Sequence, residues 1–447
     1  MCVETSFGKS ERVLLKNVVM QGSVSGGTIC SNQISKLCNK SHNDGNVYMY
    51  HGRIAIPALA MVDDIVNMAP CNSVQSMKNN IQTDEFIKMK KLEGQVGDGK
   101  CQWLHVGPED CNSSYVINGD DSTRCLVYKY LGDHTSDGWE MLYQKRHERS
   151  QGYSVSCQAM CTEISLGYQL FSVTKLLHQA IFLNGTLVNM ETWPHCTEKR
   201  LVMFEKVEQG LMRRILNAHS KTPIETLYLE LGILPFRYHL MMRRISYFQE
   251  VMNRNDDEIT KRVVLSQGDK KTKGDFYGQV EEDLSMLGID KEDVVNWGKT
   301  KLKEVLKKET CKSAFLYLID LAKSHSKVND SVYTDLNGMT YMNDPRFTPD
   351  LVTILFKFRT RMFNVKNNFR NNYRKTNTLC PLCKTVEDSQ QHLFYCSEIR
   401  KQIPSAKSNH DDIFSMDLDV LLTVAKELKT IVAVREELEG ETESDCE

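Results

Sequence analysis

Two adjacent carboxylates, Asp63 and Asp64, lie inside an apolar run that enters through Ile54–Ala60 and leaves through Ile65 and Val66. Paired carboxylates in such surroundings lose solvation, which costs free energy unless a cation binds nearby. The pattern predicts two short strands that meet at a tight turn with both carboxylates at its tip. Such a tip can hold the divalent metal ions that assist phosphoryl transfer. A plain hairpin with a polar turn fits the same residues equally well.

A second pattern lies near the C-terminus, where Cys380, Cys383, His392 and Cys396 have the spacing C-x2-C-x8-H-x3-C. Thiolate and imidazole ligands in this number suit tetrahedral Zn²⁺. In a chain with fifteen cysteines a C-x2-C pair alone often arises by chance, but a His and a further Cys at short range make a chance occurrence rare. Because four protein ligands leave no open position, we expect a structural zinc that folds its own loop and a helix starting near Ser389.

Residues 351–379, which run into this cluster, carry seven basic residues and no acidic one. The basic residues are Lys357, Arg359, Arg361, Lys366, Arg370, Arg374 and Lys375. Aromatic residues interleave with them, namely Phe356, Phe358, Phe363, Phe369 and Tyr373. Phosphate neutralisation combined with base stacking is typical of single-strand nucleic-acid binding. The alternative is an amphipathic helix with a core stripe at Leu351, Ile354, Leu355, Phe358 and Met362, and both descriptions can hold together.

Three further segments are short and individually weak. Gly22 after Gln21 would let the backbone approach a nucleic-acid strand closely, although an ordinary turn explains it as well. Lys100 stands just before a strand-like segment and could reach a phosphate, although a solvated lysine is the default expectation. The segment Tyr130-Leu131-Gly132 ends another strand at a glycine turn.

The elements that must position these residues indicate an α+β protein. Strand-like segments with Gly-containing turns fill residues 1–135, and helical periodicity follows them. The net charge of −2 decides nothing about nucleic acid. No apolar run is long enough to span a membrane, and no signal peptide is apparent. The scattered cysteines favour a reduced, intracellular chain, cytoplasmic or nuclear and not secreted.

The order and spacing of these segments resemble a reverse transcriptase of the non-LTR retrotransposon kind. Gln21-Gly22-Ser23 resembles motif B of that family, and Val62-Asp63-Asp64 resembles motif C. Lys100-Cys101 with the following Leu104–Gly107 resembles motif D, and Tyr130-Leu131-Gly132 resembles motif E, the primer grip. The resemblance continues through a thumb-like region, the basic segment and the Cys/His cluster, so it covers most of the chain.

The resemblance implies templated addition of deoxynucleoside triphosphates to a primer 3′ end by two-metal chemistry, with an RNA template and a DNA primer or target as partners. Asp63 and Asp64 would hold Mg²⁺ or Mn²⁺, and Lys100 would serve the incoming triphosphate. Gln21 and Gly22 would contact the template, and Tyr130 to Gly132 would position the primer. The basic residues of 351–379 and the zinc module would hold RNA or target DNA.

It also implies a division of the chain. We expect a partial polymerase palm at 1–135, a helical thumb at 136–254, a charged connector with modest structure at 255–345, a basic segment with the zinc module at 346–405, and an acidic tail at 406–447 that is disordered from residue 436. Members of the family carry a further catalytic Asp, in motif A, upstream of motif B. Nothing in Met1–Val19 resembles it, so we expect polymerisation by this polypeptide to be impaired. The alternatives are a non-catalytic nucleic-acid-binding protein and a decayed retroelement relic.

Overall fold

The computed structural model describes the helical part of the chain over residues 138–163, 170–325, 329–369 and 378–444. Before residue 137 it describes shorter segments within 4–9, 48–68, 102–106 and 116–136 and the single positions 81 and 85. The chain divides into two compact units. The first comprises Met1–Lys145 and Arg254–Thr272, and the second comprises Arg146–Asn253 and Lys273–Glu447.

The α+β prediction is confirmed at the level of class, and helices predominate. The helices are α1 (Trp139–Glu163), α2 (Leu170–Leu177), α3 (Glu198–Ile215), α4 (Ile224–Leu231), α5 (Phe236–Met252), α6 (Ile259–Lys270), α7 (Phe276–Leu287), α8 (Lys291–Asn296), α9 (Lys299–Ser324), α10 (Pro349–Arg359), α11 (Gln390–Leu393), α12 (Ser397–Gln402) and α13 (Leu418–Ser444). Shorter helical turns are His178–Leu183, which is π-helical, Asn184–Leu187, Met190–Thr192, Asp330–Val332, Thr340–Met342 and His410–Phe414. Among the helices that the structure describes, none combines the length and apolar character needed to cross a membrane.

The strands are short and pair two by two within the described segments. They are β1 (Glu4–Thr5), β2 (Gly8–Lys9), β3 (Tyr48–Tyr50), β4 (Ile54–Ile56), β5 (Leu59–Met61), β6 (Asp64–Val66), β7 (Gln102–Leu104), β8 (Val116–Ile117), β9 (Asp120–Asp121), β10 (Thr123–Cys125), β11 (Val127–Tyr130) and β12 (Asp133–Ser136). Sequential strands form antiparallel pairs, except that β7 pairs with β10 in parallel. The partial polymerase palm at 1–135 stays a prediction.

The predicted connector at 255–345 is more ordered than expected. Its first helix, α6, packs in the first unit, where Gln267 Nε2 donates to the Tyr50 hydroxyl at 3.2 Å and Ser266 Oγ lies 2.8 Å from Nδ1 of His51. Three more helices follow in the second unit. Side-chain caps start two of them, because Asp275 accepts from the Gly278 amide and Asp290 accepts from the Glu292 amide.

The longest of these helices, α9, confirms the helix expected near 298–325. Every fourth residue along it is buried, and the stripe runs through Leu302, Leu306, Thr310, Ala314, Leu318 and Ala322. Residues four apart lie on one face of a helix, so this stripe defines the face that packs against α4 and α5. The remaining positions of α9 are half-buried or exposed.

A close backbone approach joins the end of α4 to the loop near residue 338. Gly232 terminates α4 with a φ of +62°, and a Cβ atom there would lie 2.4 Å from the carbonyl carbon of Asn337. Only glycine combines this left-handed conformation with this clearance. The loop is thereby held against α4, where the Met339 amide donates to the Glu230 carbonyl at 2.9 Å.

Much of the segment predicted as an acidic tail, 406–447, is helical. Helix α13 packs against α10 and extends to Ser444, past the start of the expected disorder at residue 436. Its buried residues follow helical spacing and are Leu421, Val424, Ala425, Leu428 and Ile431. Burial of these side chains stabilises the helix despite the acidic composition of its last turns.

Candidate metal centre and the basic segment before it

The structure brings Cys380, Cys383, His392 and Cys396 together, and all four ligand atoms lie within 4.8 Å of one another. The sulfur atoms of Cys380 and Cys396 are 3.9 Å apart, and Cys383 Sγ is 3.3 Å from Nε2 of His392. Bonds of about 2.3 Å to sulfur and about 2.0–2.1 Å to nitrogen at tetrahedral angles would place such atoms roughly 3.5–3.8 Å apart. The donor set and its spacing therefore fit a metal ion and are compatible with structural Zn²⁺.

A tight turn presents the first two cysteines. An isolated antiparallel bridge joins Leu379 to Glu387, and the Cys380 amide donates to the Val386 carbonyl at 2.7 Å. Between them the Lys384 amide donates to the Cys380 carbonyl, with Lys384 itself at a φ of +58°. The backbone of this turn thus brings both sulfurs into the cluster.

Two short helices present the other ligands, and the helix expected near Ser389 is confirmed as α11. The Ser389 hydroxyl caps it by accepting from the amide of His392 at 3.1 Å. Cys396 occupies the N-cap position of α12, and its carbonyl accepts from the Arg400 amide. Both ligands are therefore held by helix starts that the local sequence specifies.

The two close sulfurs differ in acidity. The hydrogen bond to Cys396 raises the pKa of Cys380 to about 12, and burial acts in the same direction. The pKa of Cys396 is lowered to about 7, chiefly because its sulfur accepts from Cys380 and also because of the amides of Ile399 and Glu398. A divalent cation would bind both sulfurs as thiolates and displace the shared proton.

The loop between Cys383 and His392 is stabilised by a buried carboxylate, Asp388, which the sequence did not predict. Asp388 is fully buried and accepts a two-pronged hydrogen bond from the Arg435 guanidinium, at 2.9 and 3.1 Å. The same carboxylate accepts from the Lys366 amide at 2.9 Å. Nothing local marks this Asp, because its partners lie 22 and 47 residues away along the chain.

Arg359 was predicted to contact nucleic acid, and the structure contradicts this. Its side chain is buried and its Nε donates to the buried carboxylate of Glu230 at 2.9 Å, while Nη1 donates to the Ile413 carbonyl. The hydroxyls of Tyr333 and Tyr341 donate to the same carboxylate at 2.7 Å each. We call these residues, Glu230, Tyr333, Tyr341 and Arg359, the Glu230 cluster.

The opposite charges of Glu230 and Arg359 stabilise this cluster. Burial opposes ionisation of Arg359, but the Glu230 carboxylate outweighs it and raises the pKa of the guanidinium. Burial and then Glu230 raise the pKa of both tyrosines well above the ordinary value, so they remain protonated donors. Arg359 is thus a structural ion-pair partner rather than a surface cation.

The remaining basic candidates differ in exposure. Arg361 is exposed, Lys366 is half-buried with Nζ donating to the Leu379 carbonyl at 3.0 Å, and Lys357 is half-buried with its pKa lowered by burial. Arg370 and Arg374 lie outside the described residues. Of the aromatics, Phe356, Phe358 and Phe369 are buried, so the core interpretation holds for these three.

Most of the residues assigned by resemblance to the polymerase lie outside the described part of the chain, namely Gln21, Gly22, Asp63, Lys100, Leu131 and Gly132. Asp64 is the first residue of β6, opposite Met61 at the end of β5, as expected for a strand pair around the Asp-Asp dipeptide. Tyr130 ends β11 opposite Asp133. Comparison of the chain with protein-family models, curated proteins and solved structures finds no match to any of them.

Proposed function

We propose that this chain is a nucleic-acid-binding protein descended from non-LTR retrotransposon reverse transcriptases, with a C-terminal region organised by structural Zn²⁺. The Cys380–Cys396 cluster carries the proposal, because a closed four-ligand site of three cysteines and one histidine is a structural rather than a catalytic centre. Small modules of this kind are a recurrent means of binding single-stranded nucleic acid. The motif order noted in the sequence supports the descent.

The surface around the cluster has groups suited to this role. Tyr395, between two ligands, is 56 % exposed, and Val386 is 49 % exposed. Exposed Lys384 adds positive charge directly after Cys383 in the sequence, and exposed Arg361 adds positive charge five residues before Lys366. An exposed aromatic ring can stack on a base, and exposed cations can pair with phosphate. The metal would set the positions of these groups, and they would make the contacts.

The binding proposal is tested on the full chain with fluorescein-labelled single-stranded RNA and DNA, read by fluorescence anisotropy over a salt series. We expect affinity that falls with salt and falls strongly in Cys383→Ser. Cys196→Ser, a cysteine outside the cluster, is the matched control and should bind like the wild type. Binding that is insensitive to salt and to Cys383→Ser would reject the proposal.

A second candidate function is templated DNA synthesis, favoured by the antiparallel pair of β5 and β6, in which Asp64 begins β6 opposite Met61. In this proposal Asp63 and Asp64 hold Mg²⁺ or Mn²⁺ and Lys100 serves the incoming deoxynucleoside triphosphate. Primer extension on an RNA template with Mg²⁺ is the test. Incorporation that Asp63→Asn abolishes supports it, with Asp411→Asn at an exposed site as control. Absence of incorporation by the wild-type chain rejects it.

A further inference from the structure

Helix α9 has an unusual charge distribution that the proposed function does not use. Its first fourteen residues, 299–312, contain six lysines and two glutamates in a chain whose net charge is −2. The lysines are Lys299, Lys301, Lys303, Lys307, Lys308 and Lys312, and all six are exposed. We call them the α9 lysine face.

The fold sets this face apart from the core. The buried stripe of α9 occupies every fourth position, beginning at Leu302 and Leu306, and none of the lysines falls on it. Lys299, Lys303 and Lys307 are four residues apart, so their charges recur about every 6 Å along the axis. Lys301, Lys308 and Lys312 form a second row, roughly 160° around the helix axis from the first, so the lysine face wraps around the exposed side of α9.

These lysines are only weakly engaged within the protein. Lys308 and Lys312, which are 80 % and 68 % exposed, reach Glu309 at 3.8 and 4.0 Å. Such long contacts between exposed groups contribute little to stability. Among the described residues Lys299, Lys303 and Lys307 have no ion-pair partner. In contrast, Arg244 and Arg359 are fixed by buried carboxylates at 2.7 and 2.9 Å.

An aromatic ring stands at the start of the face. Lys301 Nζ lies 4.8 Å from the centre of the Trp297 ring, which is half-exposed. A stacking ring beside a row of cations is the combination used for nucleic-acid strands. Large apolar side chains on α9 become exposed only further along, at Leu316 and Tyr317. The lysine face therefore lacks the apolar side chains that a membrane-surface helix inserts.

We infer that the α9 lysine face is a second contact surface for the phosphate backbone of a nucleic acid. This inference rests on the proposed nucleic-acid binding and adds to it a surface outside the zinc module. Phosphate contacts by lysines are independent of base sequence and release counterions. The face would therefore contribute affinity and salt dependence, whereas the module around the metal would select single strands.

The test uses the full, zinc-loaded chain and three charge-matched variants. Two remove one row each, Lys299→Gln/Lys303→Gln/Lys307→Gln and Lys301→Gln/Lys308→Gln/Lys312→Gln. The control, Lys199→Gln/Lys206→Gln/Lys426→Gln, removes three exposed lysines outside both the α9 lysine face and the zinc module. Gln has a helix propensity close to that of Lys, so thermal unfolding should be unchanged in all three, which checks folding.

For labelled single-stranded RNA we expect each row variant to lower the slope of log Kobs against log[salt] by about 2, since each lost phosphate contact removes about 0.7. The dissociation constant should rise on the order of 10-fold or more in low salt, and the control variant should match the wild type. Wild-type binding with the same slope and affinity in the row variants would overturn the inference while leaving the proposed function in place. No salt-sensitive binding by the wild type would remove both. If the row variants lose binding to phosphatidylserine vesicles but bind RNA like the wild type, the face would be assigned to a membrane surface and the inference would be overturned.

Discussion

Two polar clusters in the second unit differ in how they are completed. The ligands Cys380, Cys383, His392 and Cys396 converge on a point that a metal ion would fill. The Glu230 carboxylate finds its partners within the chain, because one guanidinium and two hydroxyls donate to it. In the zinc proposal the first cluster depends on an ion from outside the chain, whereas the second depends on the fold that brings distant residues together.

The difference predicts that each cluster can be disrupted without disrupting the other. If the proposed zinc binds, its ligation would stabilise the loop, so the loop should respond to metal supply. The buried ion pair adds little net stability compared with an apolar replacement. Removing only one of its two partners, however, is strongly destabilising. One cluster is therefore sensitive to chelators and the other to single substitutions.

The largest expected effect is that of metal removal. With a strong chelator, or in Cys396→Ser, we expect residues 378–402 to lose protection from hydrogen exchange, because structural zinc can contribute on the order of 10 kcal/mol to small modules. Residues around Glu230 should keep their protection. The measurement is hydrogen exchange with mass spectrometry, with zinc content checked in parallel. Equal protection with and without metal would show that the cluster folds without an ion.

The next largest effect is expected at the Glu230 cluster. Glu230→Gln leaves the Arg359 charge buried without its counterion and should destabilise the second unit by about 3–5 kcal/mol. Zinc content should be unchanged, which separates the two clusters. The measurement is denaturant unfolding, with the exposed Glu437→Gln as the matched control.

A double substitution sharpens this result. In Glu230→Gln/Arg359→Met no buried charge remains within the Glu230 cluster, and part of the loss should be recovered relative to Glu230→Gln alone. A double variant as unstable as the sum of the single ones would mean that the two side chains act independently. Such additivity would contradict the ion-pair account.

A smaller effect is expected where α13 meets the metal loop. Asp388→Asn keeps the shape of the side chain but weakens the paired hydrogen bonds from Arg435, at an expected loss of about 1–3 kcal/mol. Hydrogen exchange should increase both in the loop 384–391 and in α13 near residue 435. The exposed Asp411→Asn is the control. An increase confined to the loop would show that α13 is held by its apolar face alone.

The sequence was a good guide to the metal centre and a poor one to the Glu230 cluster, for a physical reason. The four metal ligands lie within one short segment, and few residue types bind zinc, so spacing alone predicts them. Glu230 and Arg359 are 129 residues apart, and the charge of an arginine does not reveal its partner. Arg359 was therefore assigned to a surface that it does not reach.

Local patterns explain the other outcomes. The apolar stripe of α10 was readable, and burial of Phe356 and Phe358 follows from it. The acidic tail was predicted from the acidic residues after 435. The regular apolar stripe from Leu421 to Ile431 nevertheless predicts α13 as clearly as any helix in the chain. The α9 lysines and the basic residues of 351–379 form similar patterns in the sequence. Only the fold shows that the α9 lysines are exposed, whereas several residues of the basic segment are buried or hydrogen-bonded.

The smallest expected effect concerns the helix cap at the metal centre. Ser389→Ala removes the acceptor for the His392 amide, which should cost about 1 kcal/mol and thus weaken metal binding roughly fivefold. Competition with a chromophoric chelator measures the change. Ser397→Ala is the matched control, because the Ser397 hydroxyl bonds only to its neighbour Glu398 at 3.2 Å and caps no ligand amide. Equal affinities for both variants would mean that the metal itself, and not the cap, positions His392, so that the centre is less preorganised than its hydrogen bonds indicate.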